Sequence, residues 1–110
     1  MLFGMTGEYT PHAIASLIAN PTDREQVARQ TAEAMGAKIL FWGVNPGSNG
    51  GWEVVVIYDV PNPNIHFAIY SSVMATGAFT SIKAMRLLTS AEFVEGLKGA
   101  QKVNYPAPQS

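Results

Sequence analysis

Two histidines are the residues of this sequence best suited to acid–base chemistry. His12 follows Thr10 and Pro11, a pair typical of a helix start, and a neutral imidazole there could accept a proton as a general base. The alternative is an exposed helix residue with no chemical role. His66 lies in a second helical segment, where it is either a wall of a ligand cavity or a hydrogen-bonded structural histidine.

The third candidate is a carboxylate, Glu53, at the start of an aliphatic segment that ends at Asp59. A carboxylate at the rim of an apolar pocket can do acid–base work. The alternative is that both acids pair with cations on neighbouring strands, for which Lys38, Lys83 and Arg86 are available. We take His12, His66 and Glu53 as the candidate catalytic residues.

A set of aromatic residues could form the walls of a ligand site, because Tyr and Trp combine a wide apolar face with one polar group. Core packing is the alternative for each of them. The candidate ligand-binding residues are Tyr9, Trp42, Trp52, Tyr58 and Tyr70.

Composition excludes several classes of protein. The 110 residues contain no cysteine, which excludes disulfide scaffolds and thiol chemistry, and the two histidines lack the clustered carboxylates of a metal site. Seven Lys and Arg against eight Asp and Glu argue against nucleic-acid binding. No apolar run reaches the ~20 residues of a membrane span. We expect no metal and no cofactor, although haem on His66 is a third functional hypothesis. Without cysteines or a leader-like N-terminus, the sequence favours the cytoplasm.

Turn and cap residues divide the chain into alternating strands and helices. Thr10 and Thr89 are predicted N-caps, and a capping box is predicted from Thr22 to Glu25. Gly36 is placed to end a helix in the left-handed conformation. The predicted strands are 2–9, 37–44, 52–59 and 78–87; the predicted helices are 11–19, 22–35, 65–75 and 89–100; residues 45–51 are predicted to be a loop.

This order, βα(α)ββαβ followed by a C-terminal helix, predicts an α+β, ferredoxin-like fold with helices on one face of a four-stranded antiparallel sheet. The third strand places Val54 and Val56 on one face and Val55 and Ile57 on the other. Both faces are therefore apolar at their centre. We predict that a second copy covers the face without helices, giving a dimeric α+β barrel with a pocket between sheet and helices in each subunit.

The chain also resembles a known family, the GYD domain family, over residues 1 to about 100. The similarity lies in Tyr9-Thr10, the helix ending at Gly36, the aliphatic strand ending in Asp-x-Pro, and Leu87-Leu88-Thr89 before an acidic helix start. The Gly-Tyr-Asp that names the family stands here as Gly51-Trp52-Glu53. The resemblance implies one ferredoxin-like domain that oligomerises through its sheet, and it implies no established reaction. The domain is predicted to end at residue 100, because residues 101–110 form a tail too rich in proline for regular structure.

Two functional hypotheses follow. The first is a small homo-oligomeric protein that binds an apolar small molecule or has a structural role. The alternative is a cofactor-independent enzyme, similar to a monooxygenase or an isomerase, that acts on a hydrophobic small molecule in the pocket between sheet and helices. Neither hypothesis involves nucleic acid or a membrane.

Overall fold

The structure is a computed structural model that describes residues 1–48 and 51–108, and its secondary structure alternates between strands and helices. In chain order the elements are β1 (Leu2–Tyr9), α1 (Pro11–Ala19), α2 (Arg24–Ala34), β2 (Lys38–Ser48), β3 (Gly51–Asp59), α3 (Pro63–Ala75), β4 (Phe79–Leu87) and α4 (Ser90–Ala100). Residues 103–108 have no regular secondary structure.

The four strands form one antiparallel sheet in the order β2-β3-β1-β4. This order places β1 and β3 in the centre and the last strand at an edge, which is the ferredoxin-like arrangement. The predicted fold class is confirmed. The predicted division into a domain at 1–100 and a tail at 101–110 stays a prediction.

Helix starts follow local capping chemistry. Thr10 accepts a hydrogen bond from the backbone of Ala13 at 3.1 Å, and Thr89 and Glu92 form the predicted capping box. The predicted box at Thr22 is wrong, because α2 begins one residue later. Asp23 is the N-cap there, and its carboxylate accepts from the Gln26 backbone N–H at 3.1 Å.

Two glycines end helices as the chain turns toward a strand. Gly36 and Gly77 have φ of 77° and 68°, the left-handed region in which a side chain would be strained. The helix that Gly77 ends, α3, begins at Pro63 rather than near residue 65. Asn62 is its N-cap, and the Asn62 side chain accepts a hydrogen bond from the Ile65 backbone N–H at 3.2 Å.

β2 is longer than predicted. Residues 45–48 were expected to belong to a loop, but Asn45 pairs with Glu53 and Pro46 pairs with Trp52. Proline is compatible with this ladder because β2 is an edge strand, where one side needs no hydrogen-bond donor. Gly51, the last residue of the predicted loop, begins β3, and residues 49 and 50 lie outside the described residues.

The register gives the sheet two different faces. On the helix side, Phe3 lies opposite Tyr58 and Met5 opposite Val56, and all four are buried with Ile39 beneath the helices. On the other face, which we call the open face, Val55 and Ile57 are only half-buried. Two flanking side chains on it, Phe41 and Met85, are 52% and 45% exposed. A single chain therefore leaves an apolar sheet face in contact with water.

Candidate functional site

A cavity of about 540 Å³ lies between the helix side of the sheet and α1, α2 and α3. Its floor is formed by core side chains of the strands, among them Met5, Val54 and Val56. Ligand cavities in proteins typically have volumes of about 300–1,000 Å³. The pocket predicted between sheet and helices is therefore present, and it has room for a small molecule that contains aromatic rings.

Several of the helix side chains that line this space are small. On α2, Ala28 and Ala32 stand at positions where a larger residue would fill the cavity, and Ala13 has the same position on α1. The lining residues of α2 are spaced three or four positions apart, as expected for one helix face: Arg24, Val27, Ala28, Thr31 and Ala32. Met35, the C-cap residue, continues the pattern. On α3, Ile69 and Val73 close the opposite wall.

Polar side chains at one edge of the cavity come from the ends of β1, α1 and α2. Tyr9 is half-buried and stacks on Phe79 with ring centroids 4.6 Å apart. Burial raises the pKa of the Tyr9 hydroxyl, and the positive charge of the nearby Arg24 guanidinium partly offsets that shift. His12, in the first turn of α1, also lines the cavity and is exposed.

The hydroxyl groups around the cavity contribute less polarity than their number suggests. Ser16, Thr31 and Ser72 each donate to the backbone carbonyl four residues earlier in their own helix, at 2.8–3.1 Å. Thr76 donates to the Val73 carbonyl in the same way. These bonds use each hydroxyl proton, so the side chains offer a ligand only acceptor capacity.

His66 lies behind the cavity wall rather than on it. It is 6% exposed, stacks on Phe3 with centroids 3.9 Å apart, and its Nδ1 lies 2.5 Å from the Tyr58 hydroxyl. Burial lowers the pKa of His66 and raises the pKa of Tyr58 to about 12, so both groups are neutral at pH 7. The contact is therefore a hydrogen bond between two neutral groups, whose proton lies on the hydroxyl or on Nδ1 according to the imidazole tautomer. Tyr58 itself lines the cavity.

The cavity brings together some of the candidate residues and not others. Tyr9, His12, Trp42 and Tyr58 line it. Tyr70 is half-buried in the core near His66 and is not among the lining residues. Trp52 shares the helix side of β3 with Tyr58, but it stands at the end of the strand opposite Pro46, 48% exposed and away from the cavity.

Glu53 lies on the open face, on the opposite side of the sheet from the cavity. Its register partner across β1 is another acid, Glu8, whose Oε1 is buried without a hydrogen-bond partner. The ion pairs among the described residues do not join Glu53 to Lys38, Lys83 or Arg86. The carboxylate of Asp59 pairs with the N-terminal amine at 2.8 Å, and Arg86 pairs with Glu92. The expected pairing of Glu53 and Asp59 with strand cations is thus wrong, except that nearby Lys38 helps to lower the pKa of Asp59.

Arg24 lines the cavity but is not among the candidate residues predicted from the sequence. Its signal was the helical period, since Arg24 precedes Val27, Ala28 and Thr31 by three, four and seven positions and so shares their face of α2.

The described part of the chain contains no group of three or more His, Asp or Glu that could hold a metal ion. None of its helices is long and apolar enough to cross a membrane.

The fold and the cavity together define a class: a ferredoxin-like α+β protein with a partly open, mainly apolar cavity between its helices and its sheet. The chain belongs to the GYD domain family, whose model matches residues 3–97. No protein with curated annotation matches the sequence.

A similar solved structure comes from an enzyme. It is the 5-chloro-2-hydroxyhydroquinone dehydrochlorinase TftG of Burkholderia phenoliruptrix AC1100, in complex with 2,5-dihydroxybenzoquinone. The match has a TM-score of 0.55 and 17% sequence identity, and it covers 83% of this chain and 97% of the other. At that identity the similarity establishes the shared fold and leaves function to the residues of the site.

Proposed function

We propose that this protein binds a small, mainly apolar molecule in the cavity between α1, α2, α3 and the sheet. The observation that carries the proposal is the cavity itself, about 540 Å³ and walled by aliphatic and aromatic side chains with a few polar groups at one edge. Binding sites for small molecules typically combine these features.

The proposal includes assembly of two copies through the open face. Val55 and Ile57 at its centre, with Phe41 and Met85 beside them, form an apolar surface that one chain leaves in water. The same face on a second copy is its simplest cover, because a two-fold axis pairs one surface with itself. We also propose a cytoplasmic location, on the basis of the sequence without cysteine.

Titration with a neutral apolar fluorophore, N-phenyl-1-naphthylamine, tests binding in the cavity. Ala28→Trp places an indole in the cavity, whereas Ala15→Trp adds the same group to an exposed position on α1 that does not line it. We expect saturable fluorescence enhancement with the wild type and with Ala15→Trp, and a loss of at least tenfold in affinity with Ala28→Trp. Circular dichroism verifies that each variant is folded, and Val73→Phe gives a second way to fill the cavity.

A second candidate function is a cofactor-independent enzyme acting on the bound molecule. The specific observation in its favour is that His12 and Tyr9, two groups able to exchange protons, both line the same cavity edge. His12→Gln and Tyr9→Phe distinguish the two functions once a ligand is known. In a binding protein they change affinity alone, whereas in an enzyme they abolish turnover while the ligand still binds.

A further inference from the structure

The charged side chains of the cavity lining have one sign, which is positive. Among the residues that form it, Arg24 is the one with a fixed charge, and no aspartate or glutamate is present. His12 adds an imidazole to the same lining. The first turn of α1, which carries the positive end of its helix dipole, also reaches the lining through Thr10, His12 and Ala13.

The acids nearest to Arg24 in sequence are engaged elsewhere. The Asp23 carboxylate accepts from the Gln26 backbone as the N-cap of α2. Glu25 pairs with Arg29 at 2.8 Å, and Arg29 in turn donates to the Ile39 carbonyl at 2.8 Å. The ion pairs of the described residues thus leave the Arg24 guanidinium without an acidic partner.

Several hydrogen-bond donors of the cavity lie at this edge. The hydroxyls of Ser16, Thr31 and Ser72 donate to carbonyls of their own helices, and Tyr58 is hydrogen-bonded to His66. The donors that remain for a ligand include Arg24, Tyr9 and His12, of which Arg24 lies near the Tyr9 hydroxyl, and elsewhere in the lining the Trp42 indole and the Thr10 hydroxyl. A guanidinium presents several N–H groups in one plane, which suits a carboxylate, a sulfonate or a phenolate oxygen.

We infer that the molecule bound in the cavity is an amphiphilic anion, with an aromatic or aliphatic body in the space walled by Ala28, Val56 and Val73 and an anionic oxygen group at Arg24 and Tyr9. This inference rests on the proposed function and specifies its ligand class. It makes Arg24 the residue that determines specificity, since the other walls contact any apolar molecule of the right size.

Two fluorophores that share one scaffold test the inference. Anilinonaphthalene sulfonate carries an anionic group, and N-phenyl-1-naphthylamine lacks it. Affinities for both are measured with the wild type, Arg24→Gln, Arg24→Lys and a charge-matched control, Lys102→Gln, whose lysine does not line the cavity. We expect Arg24→Gln to weaken sulfonate binding about tenfold and to leave amine binding unchanged, because one charge-assisted contact is lost. Arg24→Lys keeps part of the sulfonate affinity, and Lys102→Gln changes neither affinity.

The outcomes separate this inference from the function on which it rests. If both probes bind in the cavity and Arg24→Gln changes both affinities equally or neither, the anionic ligand class is wrong and cavity binding stands. If the sulfonate still binds when Ala28→Trp fills the cavity, it occupies another surface and the inference is also wrong. If neither probe binds the wild type, the proposed function itself fails. Melting curves of the Arg24 variants verify that they are folded.

Discussion

The hydroxyl of Tyr58, on β3, is hydrogen-bonded to Nδ1 of His66, on α3, across the boundary between sheet and helices. Both side chains are buried, and the imidazole lies flat against Phe3 with an interplanar angle of 5°. The pair fixes α3 against the sheet at one side of the cavity that Tyr58 lines. His66 thus supports the cavity wall while remaining outside it, a structural role for this candidate residue.

Removal of the Tyr58 hydroxyl should destabilise the protein. Tyr58→Phe leaves the buried His66 Nδ1 without its hydrogen-bond partner, which costs about 1–3 kcal/mol. The free energy of unfolding from urea denaturation measures the change. Tyr105→Phe is the matched control, since Tyr105 is 82% exposed and its hydroxyl can bond to water. Equal stability of Tyr58→Phe and the wild type would contradict the role of this hydrogen bond.

His66 should make stability depend on pH near neutrality. Burial lowers its pKa in the folded state, so the unfolded chain binds a proton at a higher pH than the folded chain does. Stability therefore rises with pH through the unfolded value of about 6.5, and it is lost as pH falls toward the folded value. Urea denaturation at pH 5.5 and 7.5, at one protein concentration, should give the lower free energy at pH 5.5. If His66→Gln retained the full difference, His66 would not be its source.

The N-cap of α2 can be distinguished from the residue before it. Asp23→Ala removes the acceptor of the Gln26 backbone N–H and should cost about 1 kcal/mol. Thr22→Ala should change stability by only a few tenths of a kcal/mol, because Thr22 lies outside the helix. Thermal melts of both variants show whether Asp23 or Thr22 is the N-cap of α2. The reverse order of effects would restore the capping box at Thr22.

Assembly should depend on the open face. Ile57→Lys places a charge at the centre of the proposed interface and should convert a dimer into a monomer at micromolar concentration. Ile18→Lys is the matched control, since Ile18 is 74% exposed on α1. Size-exclusion chromatography with light scattering measures the mass. A monomeric wild type, or a dimeric Ile57→Lys, would show that the open face does not join two copies.

Much of the fold could be predicted because its signals are local. Thr10 with Pro11, and Thr89 with Glu92, specify helix starts through the chemistry of a single turn, and Gly36 needs only its own backbone to end a helix. The end of β2 was missed for a related reason. Asn45, Pro46 and Gly47 have the composition of a loop, and their place in a ladder depends on pairing with β3, a tertiary property.

The candidate site was less predictable, because it depends on where elements meet. Tyr70 and Trp52 have the right chemistry for a cavity wall, but packing places one in the core and the other beyond the cavity. Glu53 was assigned to a pocket rim, yet strand alternation places it on the open face with Val55. Arg24 has no distinctive local motif and becomes important only through the apolar surface that it faces.

The most direct test of ligand binding in the cavity is to locate a bound apolar molecule. Methyl-resolved NMR spectra of the folded protein, recorded during titration with N-phenyl-1-naphthylamine, report on both candidate surfaces at once. If the molecule binds in the cavity, we expect saturable chemical-shift changes and intermolecular contacts at the methyl groups of Ala28 and Val73, which line it. Contacts confined to Val55 and Ile57 on the open face, with Ala28 and Val73 unchanged, would contradict it.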